Sequence, residues 1–206
     1  MSPPRVLGRA QWRYFRHPGI ERAILSRTDH GFHLSGRARL RFPEGPTTVT
    51  YAIACDLAWA PRSAQVDLRQ RRQRHFLHVE ISEEGMWTID GFCHRELAGF
   101  TDFDLSASPA TNTLALKRLD LPVGGAAEIR TGWVVFPDLE VRAVTERYAR
   151  VSESHYVYER LHNGFRAEFD VDRKGFVLHY PEFWERMPFS GPPRKRGAAK
   201  ARRRRA

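Results

Sequence analysis

A period of two runs through most of this chain and constrains it more than any other feature. From Phe32 to Phe42 the even positions Phe32, Leu34, Ala38, Leu40 and Phe42 are apolar, and the odd positions His33, Ser35, Arg37, Arg39 and Arg41 are polar. A helix would scatter these side chains around its axis, whereas a strand puts them on opposite faces. The next segment repeats the pattern: Val49, Tyr51, Ile53, Cys55, Leu57 and Trp59 share a face, and the opposite face is mostly small. Ala64, Val66 and Leu68 alternate with Gln65, Asp67 and Arg69, and Leu77, Val79 and Ile81 alternate with His78 and Glu80. Trp87 and Ile89 form a short strand before the turn Asp90-Gly91.

The second half reads as strands near 100–106, 126–136, 140–150, 154–161, 165–171 and 175–180. Turn signals at Gly124-Gly125, Pro137-Asp138, Asn163-Gly164 and Arg173 to Gly175 separate them. Helix is scarce. Ser108-Pro109 has the form of a helix start, with a short helix running to about Leu119, and PEFWERM from Pro181 is a second candidate. The fold class expected is mainly β: a large curved antiparallel sheet, half-barrel or barrel, with one or two short helices. The inner face of such a sheet is either packed or open as a pocket. The longest run without a charge is Leu105 to Leu116, twelve residues broken by Pro109, so no helix is expected to span a membrane.

The formal net charge of +10 invites a nucleic-acid reading. Its position argues otherwise. Arg194 to Ala206 holds eight cations and no acid, and without it 26 basic residues face 24 acidic ones, a net of +2. The expected organisation is a folded domain over residues 9–187 and a disordered basic tail over 188–206. The tail, Arg194 to Arg205, offers weak, non-specific contact to anions, nucleic acid or a membrane surface, or serves only to solubilise. The amino end lacks the apolar stretch of a secretory signal, so a cytoplasmic protein with reduced, buried Cys55 and Cys93 is expected. No nucleotide, zinc or nucleophile motif is present, and no cofactor or metal is expected.

The run TDFDLSASPATNTLALKRL, Thr101 to Leu119, resembles the signature of the putative glycolipid-binding family of prokaryotic proteins. So do QWRYF with the following Pro18-Gly19, YAIACDLAW from Tyr51 to Trp59, and GFRAEFDVDRKGFVLHYPEFWER from Gly164 to Arg186. The resemblance covers about residues 10–187. It implies a curved antiparallel β-structure similar to the half-barrels of bacterial lipoprotein carriers, and binding of a glycolipid or another amphiphilic small molecule. It implies no catalytic residues.

Several residues are candidates for such a site. Asp102 and Asp104 lie two apart on a strand, so their carboxylates share a face roughly 7 Å apart. They suit hydrogen bonds to sugar hydroxyls, an acid–base pair, or a structural pairing with Lys117 or Arg118. Thr111, Asn112 and Thr113 at a helix start, with Lys117 and Arg118 further on, suit an anionic headgroup or plain capping. Ten aromatics, Trp12, Phe32, Tyr51, Trp59, Trp87, Trp133, Phe165, Phe169, Phe176 and Tyr180, suit an acyl pocket or a packed core. The leading expectation is a non-enzymatic binding protein. A lipid tail would lie in the apolar concave face, and the ligand-binding set would be Asp102, Asp104, Thr111, Asn112, Arg118, Trp12 and Tyr180. The alternative is a carboxylate-dependent enzyme acting on a glycoconjugate, with Asp102 and Asp104 as acid and base.

Overall fold

The computed structural model describes residues 3–106 and 108–189. Most of the basic tail predicted for 188–206, Arg194 to Arg205 included, lies outside the described residues. The first half of the chain is a run of consecutive hairpins: β1 (Arg5–Tyr14), β2 (Gly19–Thr28), β3 (Gly31–Phe42), β4 (Gly45–Cys55), β5 (Pro61–Gln70), β6 (Gln73–Ile81), β7 (Trp87–Ile89) and β8 (Phe92–His94). A single 3-10 turn (Arg95–Leu97) leads to β9 (Asp102–Leu105) and the one helix, α1 (Asn112–Leu119). A second meander follows: β10 (Ala126–Val135), β11 (Glu140–Arg150), β12 (His155–Arg160), β13 (Phe165–Val171), β14 (Val177–Tyr180) and β15 (Trp184–Met187).

All fifteen strands belong to one sheet, in the order β8-β7-β6-β5-β4-β3-β2-β1-β15-β14-β13-β12-β11-β10-β9. The fold class is therefore mainly β, with a large sheet that does not close into a barrel. Neighbouring strands are antiparallel except β9 and β10, which run parallel. The first and last strands pair, Trp12 opposite Arg186, so the two meanders join in mid-sheet. The two edges are brought together by curvature. Trp87 from β7 lies across Gly132 of β10, where an added Cβ would stand 2.4 Å from the indole. The Trp87 Nε1–H donates to the carbonyl of Phe100 at 2.9 Å. Glycine in a strand marks a close approach, and the indole takes the vacant Cβ space.

The alternation sets the strands and their registers. Asp90-Gly91 takes positive φ at both positions and closes β7 to β8 in two residues. Arg71-Arg72 also joins its strands in two residues, with positive φ at Arg71, so the basic run from Arg69 to Arg74 is a hairpin of β5 and β6. Asn163-Gly164 sits at the end of a four-residue loop, since Arg160 faces Phe165.

Three expectations change. PEFWERM is not helical: Pro181 to Phe183 form a turn, and Trp184–Met187 becomes β15 because it pairs with β1 on one side and β14 on the other. The helix begins at Asn112, and neither Ser108 nor Thr113 caps it. Cys93 is exposed, and only Cys55 is buried.

The segment from Ser108 through α1 fills the inner face. Ala110, Thr111, Thr113 and Leu114 are almost wholly buried. Its side chains bond to both meanders: Ser108 to Glu21 of β2, Asn112 to Tyr148 of β11, and Thr113 to the Gly175 carbonyl. Most of the aromatics expected as an acyl lining are consumed in packing. Trp12 meets Phe176 edge-on at 5.8 Å, Phe32 stacks on Trp59 at 3.6 Å, and Phe169 stacks on Tyr180 at 5.3 Å.

Candidate functional site

The inner face of the second meander is not fully packed. A cavity of about 250 Å³ remains beside the plugging segment. Asp104 of β9, Trp133 of β10, Tyr158 and Arg160 of β12, Phe165 of β13 and Tyr180 of β14 form its sheet wall. Ser106, Ser108, Pro109 and Asn112 form the opposite wall, and Arg16, Phe183 and Trp184 complete the lining. Strand pairing assembles the wall, with Trp133 opposite Asp104 and Glu146 of β11 opposite Arg160.

The polar groups of this wall are tightly held. The Thr111 hydroxyl donates to Asp104 Oδ1 at 2.5 Å. Glu146 is 1% exposed and accepts from Thr131 at 2.9 Å and from the Tyr158 phenol at 2.6 Å. Burial raises the pKa of both carboxyls; the Asp104 charge raises Glu146 further, and the Asp102 charge adds to the rise at Asp104. Burial likewise holds the Tyr158 and Tyr180 phenols protonated. The Arg160 guanidinium stacks over Trp133 at 3.9 Å and reaches the Tyr158 phenol only at 3.4 Å. Among the described residues it makes no ion pair within 4.0 Å. The Trp133 Nε1–H is buried and has no partner among the described residues. A ligand entering this cavity meets a carboxyl, a guanidinium, an indole N–H and phenols, with aromatic rings around them.

The residues expected to bind ligand are distributed unequally. Asp104, Asn112 and Tyr180 line the cavity. Thr111 stands behind Asp104 as its hydrogen-bond donor. Asp102 does share a face with Asp104, and α1 covers that face. Its two oxygens are taken by Arg118 at 2.9 and 2.6 Å, and Thr101 adds a third bond at 2.7 Å. Asp102 and Arg118 thus engage each other, away from the cavity. Trp12 is 0% exposed and donates to the Val177 carbonyl at 2.7 Å, so it belongs to the core. The helix start is closed in, because the Thr111 and Thr113 hydroxyls face Asp104 and the Gly175 carbonyl.

The family model described as putative glycolipid-binding matches residues 9–186. The chain belongs to that family. A crystal structure of a DUF1089 family protein from Pseudomonas aeruginosa is similar, at 31% identity and a TM-score of 0.73, over 81% of this chain and 92% of that one. A beta-barrel-like protein of the DUF1849 domain of unknown function from Brucella abortus shares the fold, at 11% identity and a TM-score of 0.50, over 86% of this chain and 93% of that one. No curated protein matches the chain. In this family member the run from Thr101 to Leu119 supplies β9 and, from Ser108 on, the plug: its Asp, Ser, Thr and Asn side chains bond to the strands and to one another.

One cluster beneath this plug and three residues at the cavity escaped the sequence reading. Glu21 is 0% exposed and accepts from the Tyr51 phenol at 2.5 Å and from Ser108 at 2.6 Å. Tyr51 reaches it across β3, over Gly36, where an added Cβ would stand 2.2 Å from the ring. Glu21 Oε2 has no partner, and burial pushes the carboxyl up to about 7. The residues missed at the cavity are Tyr158 and Arg160 in its lining and Glu146 behind Tyr158, whereas Trp133 was named among the aromatics. The signal for the two glutamates was in the alternation. Glu21 falls in phase with Ala23 and Leu25, and Glu146 in phase with Val144 and Tyr148. A carboxylate on the apolar side of a strand is costly unless it is paired or protonated.

Proposed function

We propose that the protein binds a glycolipid or a similar amphiphile without transforming it, and that the cavity holds one sugar ring of its head group. The observation that carries this is the unpartnered Trp133 N–H beside Arg160 and Asp104 in an aromatic-lined cavity. Sugar hydroxyls both donate and accept, so a carboxyl and a guanidinium side by side satisfy them. Aromatic rings cover the apolar faces of the sugar. Pockets for drug-sized ligands run to roughly 300–1,000 Å³, so about 250 Å³ suits one ring and leaves the lipid tails outside the mouth at Arg16 and Phe183. Binding is favoured over catalysis because Asp102 is bound by Arg118, and Glu146 by Thr131 and Tyr158. Asp104 is the one carboxylate in the cavity lining, whereas glycoside hydrolysis uses two.

Native mass spectrometry and lipid extraction of the purified protein test the reading, with tryptophan-fluorescence titration by a panel of monosaccharides and short-chain glycolipids. The expected result is a co-purifying amphiphile and saturable quenching that Trp133→Phe weakens about tenfold, the loss of one good hydrogen bond to a buried donor. No bound amphiphile and no titrating sugar would overturn the proposal. Turnover of any glycoside in the panel would overturn its non-enzymatic part.

A further inference from the structure

We infer that the outer face of β1 to β3 is a docking surface for an anionic lipid bilayer. Arg9 and Arg13 of β1, Arg22 of β2, and Arg37, Arg39 and Arg41 of β3 are all exposed on it. Register places Arg22 directly opposite Arg37, and like charges in that position weaken a sheet. No Asp or Glu occupies an outward position on β2, β3 or β4. Arg37, Arg39 and Arg41 make no ion pair within 4.0 Å among the described residues, while Arg13 is joined to Glu185.

The outer face of the other meander shows that this is not the general condition of the molecule. There Arg147 pairs with Glu159, and Arg166 with Glu159 and Glu168. A solvated face needs no such segregation, whereas a face that meets a negative surface gains from it. Arg22, Arg37 and Arg39 surround a shallow notch of about 210 Å³ with Ile20 at its side, a shape that receives a phosphate head group. Ile20 and Phe15 beside it are 40% and 42% exposed. Apolar side chains set among arginines suit the boundary between head groups and acyl chains. A nucleic acid would instead call for stacking platforms along a groove. The chain also leaves β15 at Met187, opposite Gln11, whose partner on β2 is Arg22. Nineteen further residues with eight cations follow Met187 in the sequence.

This surface stands apart from the cavity and does not depend on what the cavity holds. The test is co-sedimentation of the full chain with phosphatidylcholine vesicles, with and without one-third phosphatidylglycerol, at low and high salt. Salt-sensitive binding to the anionic vesicles alone is expected. The triple variant Arg37→Ser/Arg39→Ser/Arg41→Ser should bind at least tenfold more weakly. The control variant Arg147→Ser/Arg166→Ser on the other outer face should bind within twofold of the parent. A full-length chain with its tail cations changed to serine should keep binding that the triple variant removes. Circular dichroism checks that each variant folds. Unchanged binding by the triple variant would overturn the inference, as would complete loss on neutralising the tail alone. Tighter binding to a DNA duplex than to the anionic vesicles would overturn the choice of partner.

Discussion

Strands β1 to β8 and strands β9 to β15 follow the same period of two, yet they spend their two faces differently. In the first meander the inner face holds one carboxylate, Glu21, enclosed by Tyr51 and Ser108, and the outer face of β3 carries three arginines without an ion pair among the described residues. In the second, the inner face gathers Asp104, Glu146 and Arg160 beside a cavity, and the outer face is laced with ion pairs. The contrast teaches how to read a buried polar group. Glu21 is locked on every side but one oxygen and ties the plug to the sheet. The Asp104 cluster is bounded on one side by empty space, with an indole donor and a guanidinium short of partners, and that is a site waiting for a ligand.

The largest effect should come from the lock within the second meander. Arg118→Met leaves Asp102 charged with its side chain only 4% exposed. Breaking a buried pair in this way costs about 3–5 kcal/mol, and urea denaturation will show it. The double variant Asp102→Asn/Arg118→Met should recover much of the loss, since no charge is then stranded.

In the first meander the counterpart is a pH effect. Glu21 titrates at about 7 in the folded protein against an ordinary 4.5. The folded state therefore holds the proton more tightly, and the stabilisation is complete below the unfolded value. It is lost as pH rises from about 4.5 through about 7, a difference on the order of 3 kcal/mol. Denaturation curves across that window should fall for the parent more steeply than for Glu21→Gln. Parallel curves would mean that Glu21 is as well solvated as an ordinary surface carboxylate.

The two glycines should respond alike, because each yields its Cβ space to an aromatic ring. Gly36→Ala pushes on Tyr51 and Gly132→Ala on Trp87, at about 1–3 kcal/mol each for overpacking, read as a lowered urea midpoint. Gly36→Ala should also steepen the pH dependence, because it displaces the phenol whose hydrogen bond holds the Glu21 pKa down against burial. The smallest effect belongs to the outer face of the second meander. Arg147→Ala, which removes a half-exposed pair with Glu159, should change stability by under about 1 kcal/mol and less still in high salt.

Strand positions, the β class and the family were legible in the sequence because alternation is local and the run from Thr101 to Leu119 is distinctive. Three strands, β1, β2 and β8, were not read, and β15 was mistaken for helix. Its four residues take strand geometry only because β1 and β14 lie on either side of them. Asp104, Asn112 and Tyr180 were legible as candidates, but Asp102 and Asp104 could not be told apart. Arg118, sixteen residues from Asp102, closes on it only when α1 packs along β9.

The sequence by itself determined which side chains share a strand face, because a backbone of period two leaves no other choice. The tertiary structure decided which of those faces meet. Curvature of a fifteen-stranded sheet and one buried helix set whether a carboxylate finds an arginine, a tyrosine or an open cavity. Those partners are contributed by strands far apart in the chain, so no local pattern encodes them.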